Sequence, residues 1–147
     1  MKKMNLKTID YSDWIREILE EEPLLLERIK ISTQLTSKEE AQKALTEVVK
    51  FLALIVFTKT KLTPSVIVDD AWHEFILFTR LYHRFCEQKF GRYIHHQPGG
   101  EEKENHKRFY KTLQLYILSI GEPPKQFWGT IAEQLHQNAD CGNCLAD

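Results

Sequence analysis

The sequence has little of what β-structure needs. Only six glycines and five prolines occur in 147 residues, and no stretch of strict polar–apolar alternation is flanked by an Asn-Gly or Asp-Gly hairpin turn. Internal repeats and low-complexity segments are also lacking. Most glycines and prolines instead stand where helix-like apolar patterns stop, so the sequence predicts an all-α protein.

Excess charge, long apolar runs and export signals are equally scarce. Twenty basic residues nearly balance 21 acidic ones, which gives no long-range attraction to nucleic acid or an anionic membrane. The longest apolar run, Val48–Phe57, is about half of the ~20 residues that cross a bilayer. The residues after Met-Lys-Lys lack the apolar core of a signal peptide. With three cysteines, these features predict free thiols and a cytoplasmic location.

Motifs of several common enzyme classes are missing as well. The chain has no Gly-x-x-x-x-Gly-Lys-Ser/Thr loop, no Gly-x-Gly-x-x-Gly and no Gly-x-Ser-x-Gly elbow. Their absence argues against nucleotide-driven and serine-hydrolase chemistry. A functional site must therefore be sought among clusters of reactive side chains.

What is present is a series of amphipathic stretches with helix stop and start signals. Asp10 or Ser12 can cap the first helix, Ser37 is followed by Glu40 in a capping-box pattern, and Gly91 suits a helix end. We predict one domain over residues 1–138, a bundle of about six helices around a long central aromatic-rich helix, and a flexible tail over 139–147. The predicted helices are 11–21, 23–32, 37–60, 65–90, 101–120 and 125–137.

A histidine-rich stretch begins within the long central helix. Asp69 and His73 are four residues apart and share a helix face, and the pair His95–His96 follows in the next loop. His83 lies ten residues beyond His73, about 15 Å along a continuous helix, so these two cannot bind one ion. Imidazole and carboxylate groups suit zinc or non-haem iron. We therefore predict a zinc or iron site in which the loop doubles back onto Asp69 and His73.

The stretch resembles a known family. It reads VDDAWHEFILFTRLYHRFCEQKFGRYIHHQP over residues 68–98 and is similar to the glycine-rich domain-containing protein-like family. At position 75 this chain has Phe where relatives have a second helix histidine, and the Cys-rich tail is reduced to CGNC. The resemblance implies where a site lies and names no activity. The matching residues are Asp69, Trp72, His73, Ile76, Leu77, Thr79, Tyr82, Cys86, Phe90, Gly91, His95, His96 and Pro98.

The cysteines are further candidate ligands, each with a plainer interpretation. Cys86 lies among aromatic residues and can be a buried small hydrophobe, a metal ligand or a nucleophile activated by His83. Cys141 and Cys144 form a Cys-x-x-Cys pair that can chelate zinc, cycle as a dithiol or lie in an exposed tail. A closed zinc site would need two more ligands, so the pair alone indicates little.

Three functional hypotheses remain from the sequence. The first is a cytoplasmic metal-binding protein whose site includes Asp69, His73, His95 and His96. The second is a metal-free interaction module, in which these residues form a structural polar network and the outer surface binds a protein partner. The third is a thiol enzyme that uses Cys86. None of them names a substrate, and the partner, whether a protein or a small molecule, stays open.

Overall fold

The computed structural model describes residues 5–97 and 99–140. Within them the chain forms eight helices and no strand, which confirms the predicted all-α class. The helices are α1 (Tyr11–Glu21), α2 (Leu24–Thr33), α3 (Lys38–Thr58), α4 (Val66–Leu77), α5 (Thr79–Phe90), α6 (Glu102–Ser119), α7 (Lys125–Trp128) and α8 (Thr130–Asp140).

Several helix ends lie where the capping residues predict them. The Asp10 carboxylate accepts a backbone N–H in the first turn of α1 at 3.1 Å. The Ser37 hydroxyl accepts the N–H of Glu40 at 3.1 Å before α3. Gly91 ends α5 with φ +73°, a left-handed conformation that glycine adopts without steric penalty. These contacts satisfy backbone groups that a helix terminus leaves unpaired.

The single long helix predicted over residues 65–90 is interrupted. Phe78 has φ −84° and ψ 69°, outside the helical region, and separates α4 from α5. The two helices contact each other, and the Trp72 Nε1–H donates to the Tyr82 hydroxyl at 3.0 Å. In one straight helix, the backbones of Trp72 and Tyr82 would be about 15 Å apart along the axis, because ten residues separate them. The interruption thus lets α5 fold back against α4.

The predicted last helix is interrupted too. Gly129, with φ +87° and ψ 179°, separates the four-residue α7 from α8, and α8 continues to Asp140. The prediction of one helix over 125–137 overlooked this glycine. An extended conformation at positive φ is open to glycine and closed to other residues, so the chain turns there between two helical segments.

Contacts group the helices into two units. One unit comprises residues 10–53 and 66–97. In it α2 packs against α4, α4 against α5, and α1 against both α2 and α5. Burial of each large apolar side chain contributes about 1.5–3 kcal/mol relative to exposure. The buried aromatic residues of this unit are Tyr11, Phe51, Trp72, Phe75, Tyr82 and Phe85.

The other unit includes the described residues of 5–9, 54–65 and 99–140. Here α8 packs against α6 and α7, and the ring of Trp128 stacks on that of Phe109 with centroids 6.3 Å apart. Among the described residues no helix is both long enough and apolar enough to span a membrane. The single domain over 1–138 stays a prediction.

Candidate metal site

Helix α4 presents Asp69 and His73 at the edge of its buried face. Val68 and Trp72 are buried, and Asp69 and His73 each follow one of them by one residue, a rotation of about 100° around the helix. Since the two are four residues apart, they lie one turn above each other. The Asp69 side chain is half-buried, and His73 is exposed. The pair is therefore preformed on one helix and open to solvent.

The third residue of the site comes from the segment of residues 92–97, which follows α5. Gly91 turns the chain out of the helix, and the segment then runs without helical structure past α4. Nε2 of His96 lies 2.6 Å from Oδ1 of Asp69. The His96 ring centroid is 4.2 Å from that of His73 and 4.4 Å from that of Trp72. The segment thus doubles back onto α4, as expected.

Asp69, His73 and His96 each offer one ligand atom, a carboxylate oxygen or a ring nitrogen, and these three atoms lie within 4.8 Å of one another. Among the described residues this is the one group of three such side chains that could hold a metal ion. Two imidazoles and a carboxylate are a ligand set for zinc and for non-haem iron(II). Around a tetrahedral ion with bonds of about 2.0–2.1 Å, ligand atoms are about 3.3 Å apart. To hold such an ion, the 2.6 Å contact of Asp69 with His96 would have to widen by about 0.7 Å, which is a small side-chain movement.

The predicted pair His95–His96 is divided between two sides of its segment. Ile94 is buried and His96 half-buried, whereas His95 is exposed. The His95 ring contacts that of Tyr93, with centroids 4.7 Å apart. Side chains two residues apart share a side of an extended chain, and neighbours point to opposite sides. The structure therefore brings His96 into the cluster and leaves His95 outside it.

Cys86 is buried on α5 and does not join the cluster. Burial raises the pKa of its thiol, although hydrogen bonds with the Ile94 N–H and with Tyr82 act in the opposite direction. The neutral thiol is therefore favoured at pH 7, whereas nucleophiles and metal ligands are thiolates. His83, predicted as an activating base, is exposed and pairs with Glu87 at 3.6 Å.

Sequence reasoning missed the role of the Tyr82 hydroxyl, because Tyr82 counted only as one of the core aromatics. The hydroxyl accepts the Trp72 Nε1–H at 3.0 Å and donates to the Ile94 carbonyl at 2.5 Å. Burial raises the pKa of Tyr82 well above its ordinary value. The sequence did contain a signal for this role. Tyr82 lies among phenylalanines in the aromatic-rich helix, and a buried phenol needs a hydrogen-bond partner.

The remaining candidates lie elsewhere in the chain. Cys141 and Cys144 fall outside the described residues, so metal binding by the Cys-x-x-Cys pair stays a prediction. Pro98, part of the histidine-rich motif, is likewise outside them. Of the seven predicted ligands, the structure brings together Asp69, His73 and His96.

Comparison with known families corrects the resemblance drawn from the motif. The sequence model of the UCP032817-like family matches residues 11–116, well over half of the chain. The chain belongs to this uncharacterised family, and its assignment to the glycine-rich domain-containing family was wrong. The match includes all three residues of the cluster and ends within α6. No curated protein and no solved structure matches the chain.

Proposed function

We propose that this member of the UCP032817-like family binds one divalent transition-metal ion, zinc or iron(II), through Asp69, His73 and His96. The supporting observation is the convergence of their three ligand atoms to within 4.8 Å. The residues come from one helix turn and from a segment 27 positions away. Imidazole nitrogens favour zinc and iron over calcium and magnesium, which prefer oxygen ligands.

The proposed ion keeps coordination positions for a further ligand. Three protein ligands leave one position on tetrahedral zinc and three on octahedral iron, which is the pattern of catalytic rather than structural sites. The Asp69 side chain is 39% exposed and His73 is exposed, so water and small molecules reach the site. A metal with an open position can activate bound water or polarise a substrate oxygen. The predicted cytoplasmic location stays a prediction.

A metal-free role is the alternative, and one contact favours it. The 2.6 Å contact between His96 and Asp69 already pairs the half-buried imidazole with a carboxylate. Such a pair can fix the 92–97 segment to α4 without an ion, and the protein would then act as an interaction module through its outer surface. Metal content and affinity distinguish the two functions.

The test uses untagged protein, because a histidine tag would bind the same ions. Isothermal titration with Zn²⁺, and anaerobically with Fe²⁺, should show one site. His73→Ala and Asp69→Asn should weaken binding by more than about 100-fold, the upper end of what loss of an outer-shell partner costs. His95→Ala and Asp70→Asn are matched controls, since neither residue belongs to the cluster, and both should bind as the natural protein does.

Two results would overturn the proposal. The first is a protein that purifies without metal and shows no saturable binding of either ion. The second is binding that His73→Ala and His95→Ala weaken equally, because the ion would then not be held by the Asp69–His73–His96 cluster.

A further inference from the structure

The 92–97 segment is held to α5 through the backbone of a single residue. The Tyr82 hydroxyl donates to the Ile94 carbonyl at 2.5 Å, and the Ile94 N–H lies close enough to the Cys86 thiol to lower the pKa of that thiol. Tyr82 and Cys86 are four residues apart, so they lie on one face of α5. The carbonyl of the buried Ile94 is therefore satisfied by that face.

Tyr82 also connects the two helices of the site. Its hydroxyl accepts the Trp72 indole N–H at 3.0 Å, and Trp72 precedes His73 on α4. The Trp72 ring in turn contacts the His96 ring, with centroids 4.4 Å apart. One buried hydroxyl thus touches the helix that carries Asp69 and His73 and the segment that carries His96.

The position of Ile94 determines which histidine faces the cluster. Ile94 is buried and His96 half-buried on the inner side of the segment, whereas His95 is exposed. A shift of one residue along an extended chain exchanges the two sides. If Ile94 moved by one position, His95 would face Asp69 in place of His96.

We infer that Tyr82 is a positioning residue of the Asp69–His73–His96 site: its hydroxyl fixes the Ile94 carbonyl and thereby presents His96, rather than His95, to α4. As a statement about metal affinity, this inference rests on the proposed function. As a statement about the 92–97 segment, it holds for the metal-free protein as well, and the two parts are tested separately.

The first test compares Tyr82→Phe with Tyr93→Phe. Each variant removes one hydroxyl and keeps its ring, and the half-buried Tyr93 belongs to the same segment, with its ring against that of Tyr82. Co²⁺ serves as the probe, because its visible absorption reports the ligand geometry. Tyr82→Phe should weaken Co²⁺ binding by about 10–100-fold, the range for loss of an outer-shell partner, and should alter the spectrum. Tyr93→Phe should change neither. If the natural protein binds Co²⁺, equal affinities and spectra in all three proteins would overturn the inference.

The second test needs no metal and separates failure of this inference from failure of the proposed function. In metal-free Tyr82→Phe, amide hydrogen exchange in residues 92–97 and alkylation of Cys86 should both accelerate several-fold. Exchange in α3 and α6 should not change. If the natural protein binds no metal but these accelerations occur, only the metal proposal fails.

Unchanged exchange in 92–97 would overturn the positioning role whatever the metal result. Acceleration that is equally large in α3 and α6 would overturn it as well, since Tyr82 would then be a general core residue. Trp72→Phe provides an independent check on the fold-back of the helices. It removes the indole N–H that orients the Tyr82 hydroxyl, and it should accelerate exchange in the same segment.

Discussion

Nε2 of His96 lies 2.6 Å from Oδ1 of Asp69, although 27 residues separate the two in the sequence. The contact joins the end of the 92–97 segment to the first turn of α4. His73, one turn along α4, completes a group of three ligand atoms within 4.8 Å. The following predictions test this group and the packing that supports it.

Bound metal should stabilise the folded protein through this group. A ligand present at 100 times its Kd adds about 2.7 kcal/mol to the free energy of unfolding, if the unfolded chain does not bind it. Thermal unfolding with and without Zn²⁺ should therefore show a higher Tm for the natural protein and for His95→Ala. His73→Ala should lose the increase. The same increase in all three proteins would place the ion elsewhere.

Phe75 should be a major contributor to stability. It is fully buried on α4, and its ring contacts those of Tyr82 and Phe85, with centroids 5.0 and 5.5 Å away. Phe75→Ala leaves a cavity and should lower the free energy of unfolding by about 3–5 kcal/mol. Leu77, on the same helix and 64% exposed, is the control. Leu77→Ala should change the free energy of unfolding, measured by urea denaturation, by less than about 0.5 kcal/mol. Similar losses in both variants would contradict this packing.

Gly91→Ala should destabilise the end of α5 for a purely conformational reason. A Cβ at this glycine would meet no atom within 4 Å, but its φ is +73°. A residue with a Cβ pays about 1–2 kcal/mol in the left-handed region. Asn tolerates that region better than Ala, so Gly91→Asn should lose less stability in urea denaturation. If Gly91→Ala were as stable as Gly91→Asn, or more stable, the left-handed conformation at Gly91 would be contradicted.

Stability should fall at alkaline pH because buried acids keep their protons in the folded state. Burial raises the pKa of Cys86 above its ordinary value of 9.0 and that of Tyr82 above 10.0. Burial, with Glu47 nearby, raises the pKa of Tyr11 to about 12. The resulting stability is fully present below pH 9 and is lost as the pH rises through the folded-state pKa values. Each group contributes up to about 1.4 kcal/mol per pH unit.

Urea unfolding at pH 7.5, 9 and 10.5 measures this loss. Cys86→Ala should show a smaller decline between pH 9 and 10.5 than the natural protein, because one of the titrating groups is gone. A free energy of unfolding that is constant or rises up to pH 10.5 would show that these groups are not protonated in the fold.

Much of the fold follows from local signals in the sequence. The bounds of α1 were predicted from Asp10 and the apolar spacing after it, and the end of α5 was predicted from Gly91. Side-chain caps and glycines act within a few residues, so the sequence displays them directly. The doubling back of the segment onto Asp69 and His73 was also expected from the clustering of the histidines.

The interruption of the helix at Phe78 could not be predicted from local signals of this kind. The residues around it, Leu77 and Thr79, include no proline or glycine, the usual marks of a break. Tertiary contacts such as the Phe75–Phe85 and Trp72–Tyr82 pairs accompany the break, and local propensity does not encode them. The choice of His96 over His95 depends on the register of an irregular segment, which no periodic pattern predicts.

The fold-back at Phe78 also determines the order in which the histidine cluster can assemble. Asp69 and His73 are neighbours as soon as α4 is helical, whereas His96 reaches them only after α5 has docked on α4. A denatured chain, even one with residual helix, therefore offers at most two adjacent ligands. The proposed ion binding would therefore require completed tertiary structure, and Co²⁺ absorption during refolding would report the docking of α5 in real time.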